Sequence, residues 1–522
     1  MPSESVTGVP RPRTLGSLIV AVGIVAASWI LGNPRSSGPD EPSHMVTSAA
    51  LVRGETEGSP NPLDPATRLM SVPEMVGAPN PACWAFVPAE TPACADDDPL
   101  RTDTAEVPTT SYNYPPFGLV LPGLASFVPW AEGYAYLARA LSALVPLLLV
   151  ASSLAMLRDR SRMLAVAALL GLTPIAWFTF GVVNPSAVAI AGGLALATGC
   201  LSLPAGVARA QLLTTAGWLA TVLPRRDGPV WAALVVVIAT ATIGIRPSDL
   251  WKQLSRSAQV TIAVAALVPL VQVVARGDTG FNVALAAAAL VIPAYEALLV
   301  AWARWPGRDQ RVALVLAMAL LATAGFGVVL LTRPGGYDAN LLSLVVGNTG
   351  DHLVQLVGVL GWLNAPVPMS GVLLFWAALG GLVAVALIER PRSAVAPLVG
   401  LSIAIVVAWV LELGQGASYG NYWQGRYTMP LAVALPLLAA WRSRATNLDV
   451  LVIPMATVWW VVLNLGFFAA QRRWAVGVEG TWYVWRWDTW HAPLPPIVLL
   501  LAHAASTAWL AVTVATRPGA SA

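Results

Sequence analysis

Long apolar runs separated by short polar connections dominate the chain. Many runs reach the roughly 20 residues that a helix needs to cross a hydrocarbon core about 30 Å thick. The pattern predicts about fourteen membrane-spanning helices. Their predicted bounds are 14–31, 134–157, 163–182, 186–206, 209–223, 229–245, 258–275, 281–303, 311–332, 370–388, 394–413, 427–441, 448–469 and 494–516.

Four segments depart from this pattern. Residues 32–113 form a long polar insertion after the first run. The apolar segment 114–130 is broken by prolines, which predicts a re-entrant or interfacial segment covered by protein or water. Segment 333–370 has a helical apolar period and predicts an amphipathic segment on the outer surface. The Trp-rich loop 472–496 suits the lipid headgroup level, with stacking on sugar rings as the alternative.

Composition narrows the class of protein. Hydrophobic residues make up 57% of the chain, charged residues 11%, and the mean hydropathy is +0.67. These values exclude a soluble protein. We therefore predict one domain over 1–522, an all-α integral membrane protein built as a multi-spanning helical bundle with a long first exoplasmic loop. Nucleotide-binding, metalloprotease and nucleophile-elbow motifs are missing from the sequence, so cytosolic nucleotide chemistry is not expected.

Arginines orient the predicted helices by the positive-inside rule. One set lies before the first predicted span and in short connections on the same side of the bundle: Arg11, Arg13, Arg158, Arg160, Arg162, Arg246, Lys252, Arg256, Arg304, Arg308, Arg311, Arg390, Arg392, Arg442 and Arg444. That side is predicted to face the cytoplasm, and both termini lie on it. The membrane is predicted to be the plasma membrane. The insertion 32–113 is then exoplasmic. The first run lacks a small-residue cleavage site and is predicted to be an uncleaved anchor.

A second set of arginines lies at the exoplasmic edge: Arg225, Arg226, Arg276, Arg333, Arg426, Arg472 and Arg473. Charge at membrane depth is costly, so such residues tend to face a cavity and a partner, although a solvated loop charge is the alternative. A guanidinium binds a phosphate through two parallel hydrogen bonds. The set therefore predicts an anion held at the outer leaflet. Arg426 is the strongest candidate because it opens an apolar run.

Asp40, Glu41 and His44 follow the first predicted span in the turn NPRSSGPDEPSHMV (33–46). Acids and arginines at the same membrane depth suit transfer of a group from a lipid-phosphate donor to a hydroxyl acceptor. A sugar on a polyprenyl phosphate leaves behind a stable anion, so the reaction needs cations for that anion and a carboxylate for the acceptor's proton. Asp40 is the predicted base and Glu41 the second choice, while His44 would orient Asp40 or contact the acceptor. A capped turn is the alternative.

A divalent metal is the less favoured alternative for this turn. The spacing of Glu41 and His44 permits a divalent metal, but Pro42 between them disturbs the helical geometry that this pair would need. No cofactor is expected and no metal ligands are predicted.

The cysteines divide by environment. Cys83 and Cys94 lie in the polar insertion and are predicted to form a disulfide if that side is oxidising. Cys200 lies in an apolar run and is predicted to be a small core residue.

Four short motifs occur in a fixed order: PDEPSH (39–44), NYPP (113–116), VNPS (183–186) and QGRY (424–427). Their order and placement resemble the predicted actinobacterial membrane proteins of domain-of-unknown-function family 2142, which belongs with the GT-C-fold glycosyltransferases. The resemblance implies a GT-C-like transmembrane glycosyltransferase of cell-wall biogenesis, with an acid of the first exoplasmic loop as base. It would move a sugar from a polyprenyl-phosphate donor to an envelope glycan or glycolipid acceptor.

Further site residues follow from the motifs and the exoplasmic arginines. The predicted substrate-binding residues are Asn113, Tyr114, Asn184, Arg225, Arg226, Arg333, Arg426 and Tyr427. Where the resemblance leads us to expect Asn-Pro-Asp, this chain has Ser186, which disfavours a metal-dependent mechanism. Attack from the side opposite the phosphate predicts inversion at the sugar carbon.

Two other functions compete with a transferase. A lipid or polysaccharide transporter or flippase would usually show repeated halves with paired helix interruptions, which this sequence lacks. A non-catalytic scaffold of envelope assembly is the second alternative. Loss of transfer on Asp40→Asn in a folded protein would separate an enzyme from both.

Overall fold

A computed structural model of the 522-residue chain describes most of the sequence. The described residues are 12–95, 100–207, 209–276, 279–303, 339–389, 391–419, 423–441, 448–484 and 490–516, with Val315 alone between two of these ranges. Within them the chain is predominantly α-helical. The α-helices are α1 (Pro12–Gly32), α2 (Glu41–Leu51), α3 (Val120–Gly123), α4 (Tyr134–Arg160), α5 (Arg162–Gly171), α6 (Pro174–Phe180), α7 (Pro185–Ser202), α8 (Ala210–Val222), α9 (Gly228–Ile243), α10 (Pro247–Gln253), α11 (Arg256–Arg276), α12 (Thr279–Ala303), α13 (Ala339–Gly347), α14 (Thr349–Gly358), α15 (Met369–Glu389), α16 (Pro391–Tyr419), α17 (Met429–Ala432), α18 (Leu435–Ala440), α19 (Val452–Val476) and α20 (Pro496–Ala515).

Short strands and 3-10 turns connect the helices. The strands are β1 (Ser59–Pro60), β2 (Arg68–Pro73), β3 (Thr104–Thr109), β4 (Val359–Leu360) and β5 (Ala365–Pro366). The 3-10 turns are Glu74–Val76, Pro81–Cys83, Pro92–Ala95, Pro116–Gly118, Leu124–Phe127, Leu203–Ala205, Gly425–Tyr427 and Asp449–Leu451. Most of these elements lie in the polar insertion or beside the site described below.

Within the described residues, seven helices are long and apolar enough to cross a membrane: α1, α4, α7, α15, α16, α19 and α20. The bent pair α5 and α6 gives an eighth candidate. The predicted spans 209–223 and 229–245 correspond to α8 and α9, which are shorter than a straight crossing requires. The predicted spans 258–275 and 281–303 lie on α11 and α12, whereas 311–332 lies outside the described residues apart from Val315. A count of fourteen therefore stays a prediction.

Two spans predicted as single helices are broken, and prolines explain both breaks. The chain bends by 74° between α5 and α6, where Pro174 begins the second helix. The predicted span 427–441 divides into α17 and α18, and Pro436 lies in the first turn of α18. A proline has no N–H to donate and its ring collides with the carbonyl four residues earlier, so it kinks or breaks a helix.

The insertion 32–113 is folded. Its strands form an antiparallel sheet in the order β1-β2-β3, with Arg68 of β2 opposite Thr109 of β3. Met70 and Val72 of this sheet pack with Met45 and Val46 of α2 in a second, smaller core. The predicted interfacial segment 114–130 follows as short turns with α3, and Phe117, Phe127 and Trp130 are exposed along it.

The buried helix α7 lies at the centre of the bundle and positions the site. All of its residues are buried, and it packs against α4, α8 and α9. Its side toward α17 is very close-packed, because a Cβ on Gly193 would lie 1.8 Å from the carbonyl oxygen of Pro430. Only glycine allows this approach. The start of α7 and the QGRY segment are thereby brought together.

Candidate functional site

Asp40 occupies a strained turn immediately before α2. Its backbone has φ 64° and ψ 2°, the left-handed conformation that non-glycine residues rarely adopt. Its carbonyl accepts the N–H of His44 at 2.9 Å, which ties the turn to the helix. Its side chain is 38% exposed, so one face of the carboxylate is open.

Arg426 pairs with Asp40 although 386 residues separate them. Its Nη2 donates to Asp40 Oδ2 at 2.9 Å, and its side chain is only 6% exposed. The 3-10 turn that carries Arg426 is fixed through Gly425, whose N–H donates to Gln355 Oε1 at 3.1 Å. Arg426 Nε is buried and has no hydrogen-bond partner within the described residues. Asp40 therefore occupies Nη2 of this guanidinium, while its Nε–H is a donor that a ligand could use.

A narrow pocket with a cavity volume of about 10 Å³ lies beside this ion pair. Apolar side chains of α6 form one wall, and Gln424, Gly425 and Arg426 form another. Pro39 and Asn184 complete the side near the Asp40 turn. The pocket thus places a partly free guanidinium against an apolar surface.

A second arginine, Arg225, packs on the ring of Tyr427 as Arg426 does. The Cζ atoms of Arg225 and Arg426 lie 5.0 Å and 5.2 Å from the centre of that ring. Arg225 donates from Nη1 to Ser186 Oγ at 2.8 Å and from Nε to Asp227 Oδ1 at 2.8 Å. Arg225 is thus a fixed charge held by protein partners.

Asp227 was missed by the sequence reasoning, which took only the arginines from the stretch PRRDGP. Arg225 links the carboxylate of Asp227 to Ser186, the serine found where the resemblance leads us to expect an acid. An acid directly after two membrane-edge arginines was the available signal. The neighbouring Arg226 donates from Nη2 to the carbonyl of Asn113 at 2.7 Å.

His44 and Tyr114 pack edge to face beside Asp40, with ring centres 4.9 Å apart. Burial of His44 lowers its pKa to about 4; the nearby Asp40 opposes this shift, while Arg426 and Arg225 add to it. Burial likewise raises the pKa of Tyr114, against the opposing effect of Arg225. Both rings are therefore neutral near pH 7.

Glu41, the second base predicted from the sequence, is in the wrong place for that role. Its side chain is fully buried, and its Oε1 and Oε2 accept from Arg139 Nε at 2.8 Å and Nη2 at 2.9 Å. Backbone N–H groups of Val183 and Gly38 fill its remaining positions at 3.0 Å and 3.1 Å. A carboxylate enclosed in this way has no path to an acceptor hydroxyl. Arg139 was also missed, although a charge inside the predicted span 134–157 was a usable signal.

The remaining predicted residues fall into three groups. Asn113, Tyr114, Asn184, Arg225, Arg226, Arg426 and Tyr427 surround the Asp40 turn or line the adjoining pocket. Asn184 also caps α7, because its Oδ1 accepts the N–H of Ser186 at 2.9 Å. Arg333 lies outside the described residues. Cys83 and Cys94 are joined in a disulfide away from the ion pair.

No group of three or more His, Cys, Asp or Glu side chains with the spacing of a metal site occurs in the part of the chain that the structure describes. The site instead contains two ion pairs, Asp40 with Arg426 and Arg225 with Asp227, and Arg226 lies beside them. Two cations and two carboxylates arranged in pairs can bind an anion only by exchanging a protein partner or using a free edge.

Comparison with known proteins gives one match. The family described as predicted membrane protein, DUF2142, matches residues 24–435. No curated protein and no solved structure matches the chain. The matched range contains all four motifs, from the Asp40 turn to QGRY, so the family resemblance drawn from them is confirmed. With the seven apolar helices, it also confirms an integral membrane protein.

Proposed function

We propose that this chain, which belongs to the DUF2142 family of predicted membrane proteins, is a GT-C-type glycosyltransferase that uses a polyprenyl-phosphate sugar. The observation that carries the proposal is the pairing of a half-open carboxylate with a buried arginine. Asp40 and Arg426 lie 2.9 Å apart beside a pocket that is apolar on one wall. A base, an anion-binding group and an apolar surface are the three elements that this substrate class requires.

Arg426 is proposed to hold the donor phosphate. Its Nε has no protein partner among the described residues, so a phosphate oxygen can bind there while Nη2 stays on Asp40. Arg225, which also packs on the ring of Tyr427, would add positive potential without breaking its own bonds. Charge-assisted hydrogen bonds of this kind are about twice as strong as neutral ones. The cations stabilise the leaving phosphate as its negative charge develops.

Asp40 is proposed to accept the proton of the acceptor hydroxyl. As that O–H bond breaks, the oxygen attacks the anomeric carbon and forms the new glycosidic bond. The bond from the anomeric carbon to the phosphate oxygen breaks at the same time, and its electron pair leaves with the polyprenyl phosphate. Attack opposite the phosphate inverts the configuration at that carbon. No metal or cofactor is required by this sequence of steps.

The rigid turn supports the role of Asp40. A base is effective only within hydrogen-bond reach of the proton that it removes. The left-handed backbone of Asp40, and the hydrogen bond that its carbonyl accepts from the N–H of His44, hold the carboxylate in one position. His44, neutral because burial lowers its pKa to about 4, would position the turn and Tyr114 without competing for the proton.

The side of the membrane is part of the proposal. Arginine asymmetry along the sequence favours an exoplasmic site and cytoplasmic termini in the plasma membrane, with an envelope glycan or glycolipid as acceptor. Single cysteines introduced within 46–108 should react with an impermeant maleimide on intact cells, whereas cysteines within 304–310 should not. The reverse pattern would overturn the orientation.

The function is tested with purified full-length protein in lipid nanodiscs. Incubation with a panel of radiolabelled polyprenyl-phosphate sugars and an envelope glycan extract should transfer label to the extract. Asp40→Asn provides the control for background transfer. Label that crosses a liposome membrane without being transferred would favour a transporter. The absence of both transfer and donor binding would exclude the proposal.

A further inference from the structure

Among the described residues, four non-glycine residues have a positive φ: Ser36 at 60°, Asp40 at 64°, Phe86 at 60° and Leu363 at 57°. Such positions are strained and persist only where the surrounding structure holds them, and they cluster at functional sites. Asp40 belongs to the site already described. The other three come from distant parts of the chain and need their own explanation.

All three meet at Trp362, in the hairpin between β4 and β5. Its indole Nε1 donates to the carbonyl of Ser36 at 2.8 Å. Its ring packs edge to face with Phe86, with ring centres 5.4 Å apart. Its neighbour Leu363, with Gly361 on the other side, lines the pocket beside Arg426. The strained positions therefore gather around Trp362, whose two neighbours line that pocket.

Phe86 is presented to solvent by a rigid loop. Its ring is 62% exposed, although burying a phenyl ring is ordinarily favourable. The loop is closed by the disulfide from Cys83 to Cys94. It is also fixed from below by the buried Arg473, which donates to the carbonyls of Trp84 at 3.0 Å and Val87 at 2.9 Å. Because these contacts hold the loop in place, the apolar ring of Phe86 stays exposed to water.

The pocket next to this pair also contains an unused hydrogen-bond acceptor. Gln424 Oε1 is buried and has no partner in the described ranges, and Gln424 lines the pocket with Gly361 and Leu363. A buried polar atom without a partner costs free energy unless a ligand or water satisfies it. Aromatic faces beside such an acceptor suit a sugar ring, which has an apolar C–H face and a rim of hydroxyl donors.

We infer that Phe86 and Trp362 form an aromatic ledge that binds a sugar ring of the acceptor, with a ring hydroxyl donating to Gln424 Oε1. The inference rests on the proposed function in that it names the acceptor side of the same site. The ledge lies on the polar insertion and on the β4–β5 hairpin, not on a candidate membrane span, so its occupant is a water-soluble glycan and not a lipid chain. Bound there, the ring lies along the pocket edge next to the Asp40 turn.

Saturation-transfer NMR on full-length protein in nanodiscs tests the ledge without requiring turnover. The probes are methyl glycosides of glucose, mannose, galactose and arabinose. At least one should receive saturation on its C–H protons from the wild-type protein. Phe86→Gly removes the ring and suits the left-handed backbone, so it should lower that transfer about threefold to tenfold. Phe86→Tyr keeps an aromatic face and should retain most of it.

A matched control comes from the Trp-rich loop. Trp482 is 67% exposed and stacks on Phe468, with ring centres 5.7 Å apart. Trp482→Ala should leave the sugar signal unchanged. Saturation transfer that survives Phe86→Gly, that is lost in Trp482→Ala, or that is missing in the wild-type protein would overturn the ledge.

Failure of the ledge and failure of the proposed function give different results. Asp40→Asn should bind the glycosides like the wild-type protein, because the carboxylate is not part of the ledge. If transfer activity is found, Phe86→Gly should raise the acceptor KM about threefold to tenfold and leave donor binding unchanged. A lower kcat with an unchanged acceptor KM would contradict the inference and leave the transferase proposal standing.

Discussion

Glu41 and Arg139 form an ion pair from which water is fully excluded, with two parallel hydrogen bonds of 2.8 Å and 2.9 Å. Arg139 also donates to the carbonyls of Asn33 at 2.7 Å and Pro34 before the turn. Glu41 is the residue directly after Asp40. The pair therefore fixes the chain on both sides of the exposed carboxylate, while remaining out of contact with solvent itself.

Glu41→Gln should destabilise the protein and not act directly on the chemistry. It leaves the Arg139 charge buried and uncompensated, which typically costs about 3–5 kcal/mol. Thermal or denaturant unfolding in detergent measures the loss. The double variant Glu41→Leu with Arg139→Met removes both charges and should be more stable than either single variant. A Glu41→Gln protein as stable as the wild type but inactive would make Glu41 the base after all.

Arg426→Ala should weaken binding of the donor phosphate about tenfold to a hundredfold, because it removes a charge-assisted hydrogen bond. Arg426→Lys should restore binding only in part, since an ammonium lacks the planar fork. Titration with a short-chain polyprenyl phosphate measures both. Arg472→Ala, an arginine that packs over Trp482 away from the pocket, is the matched control and should bind normally. Unchanged affinity in Arg426→Ala would make that arginine structural.

His44 should make stability depend on pH between about 6.5 and 4. Its pKa is about 4 in the folded protein and about 6.5 when unfolded, so the unfolded state binds more protons in this window. The contribution of His44 to the free energy of unfolding is complete above pH 6.5. It falls by roughly 3 kcal/mol as the pH drops toward 4. His44→Phe keeps an aromatic ring against Tyr114 and should lose that part of the dependence. Parallel curves for the two proteins over this range would show that the pKa of His44 is the same in the folded and unfolded states.

The disulfide between Cys83 and Cys94 should order the loop that presents Phe86. Replacing both by serine should cost on the order of 2–3 kcal/mol in local stability. Hydrogen exchange followed by mass spectrometry should then show faster exchange in 84–93, while peptides of α19 stay protected. Two free thiols in the non-reduced wild-type protein would contradict this expectation.

Local patterns predicted much of the helical architecture. Within the described residues, helices occur at every predicted span, because about twenty apolar residues have few alternatives in a bilayer. The breaks at Pro174 and Pro436 were visible as prolines but were not used. Hydropathy alone does not show at which positions the neighbouring helices tolerate a proline.

Long-range pairing was the part that the sequence could not supply. Asp40 and Glu41 are adjacent acids with the same local pattern, and only the fold separates them. One pairs with Arg426 at the pocket, and the other pairs with Arg139 in the core. The choice depends on the direction of each side chain in a left-handed turn. Asp227 was missed for a related reason, since its importance comes from its contact with Arg225, which in turn donates to Ser186.

Turnover by Asp40→Asn tests the central claim most directly. Asparagine keeps the shape of the side chain and can still accept a hydrogen bond from Arg426, but it cannot take a proton. Single-turnover transfer from a radiolabelled polyprenyl-phosphate sugar, measured beside donor binding on the same folded protein, should fall by about 10²–10⁴ with donor affinity preserved. Near-normal transfer by Asp40→Asn would contradict the assignment of Asp40 as the base.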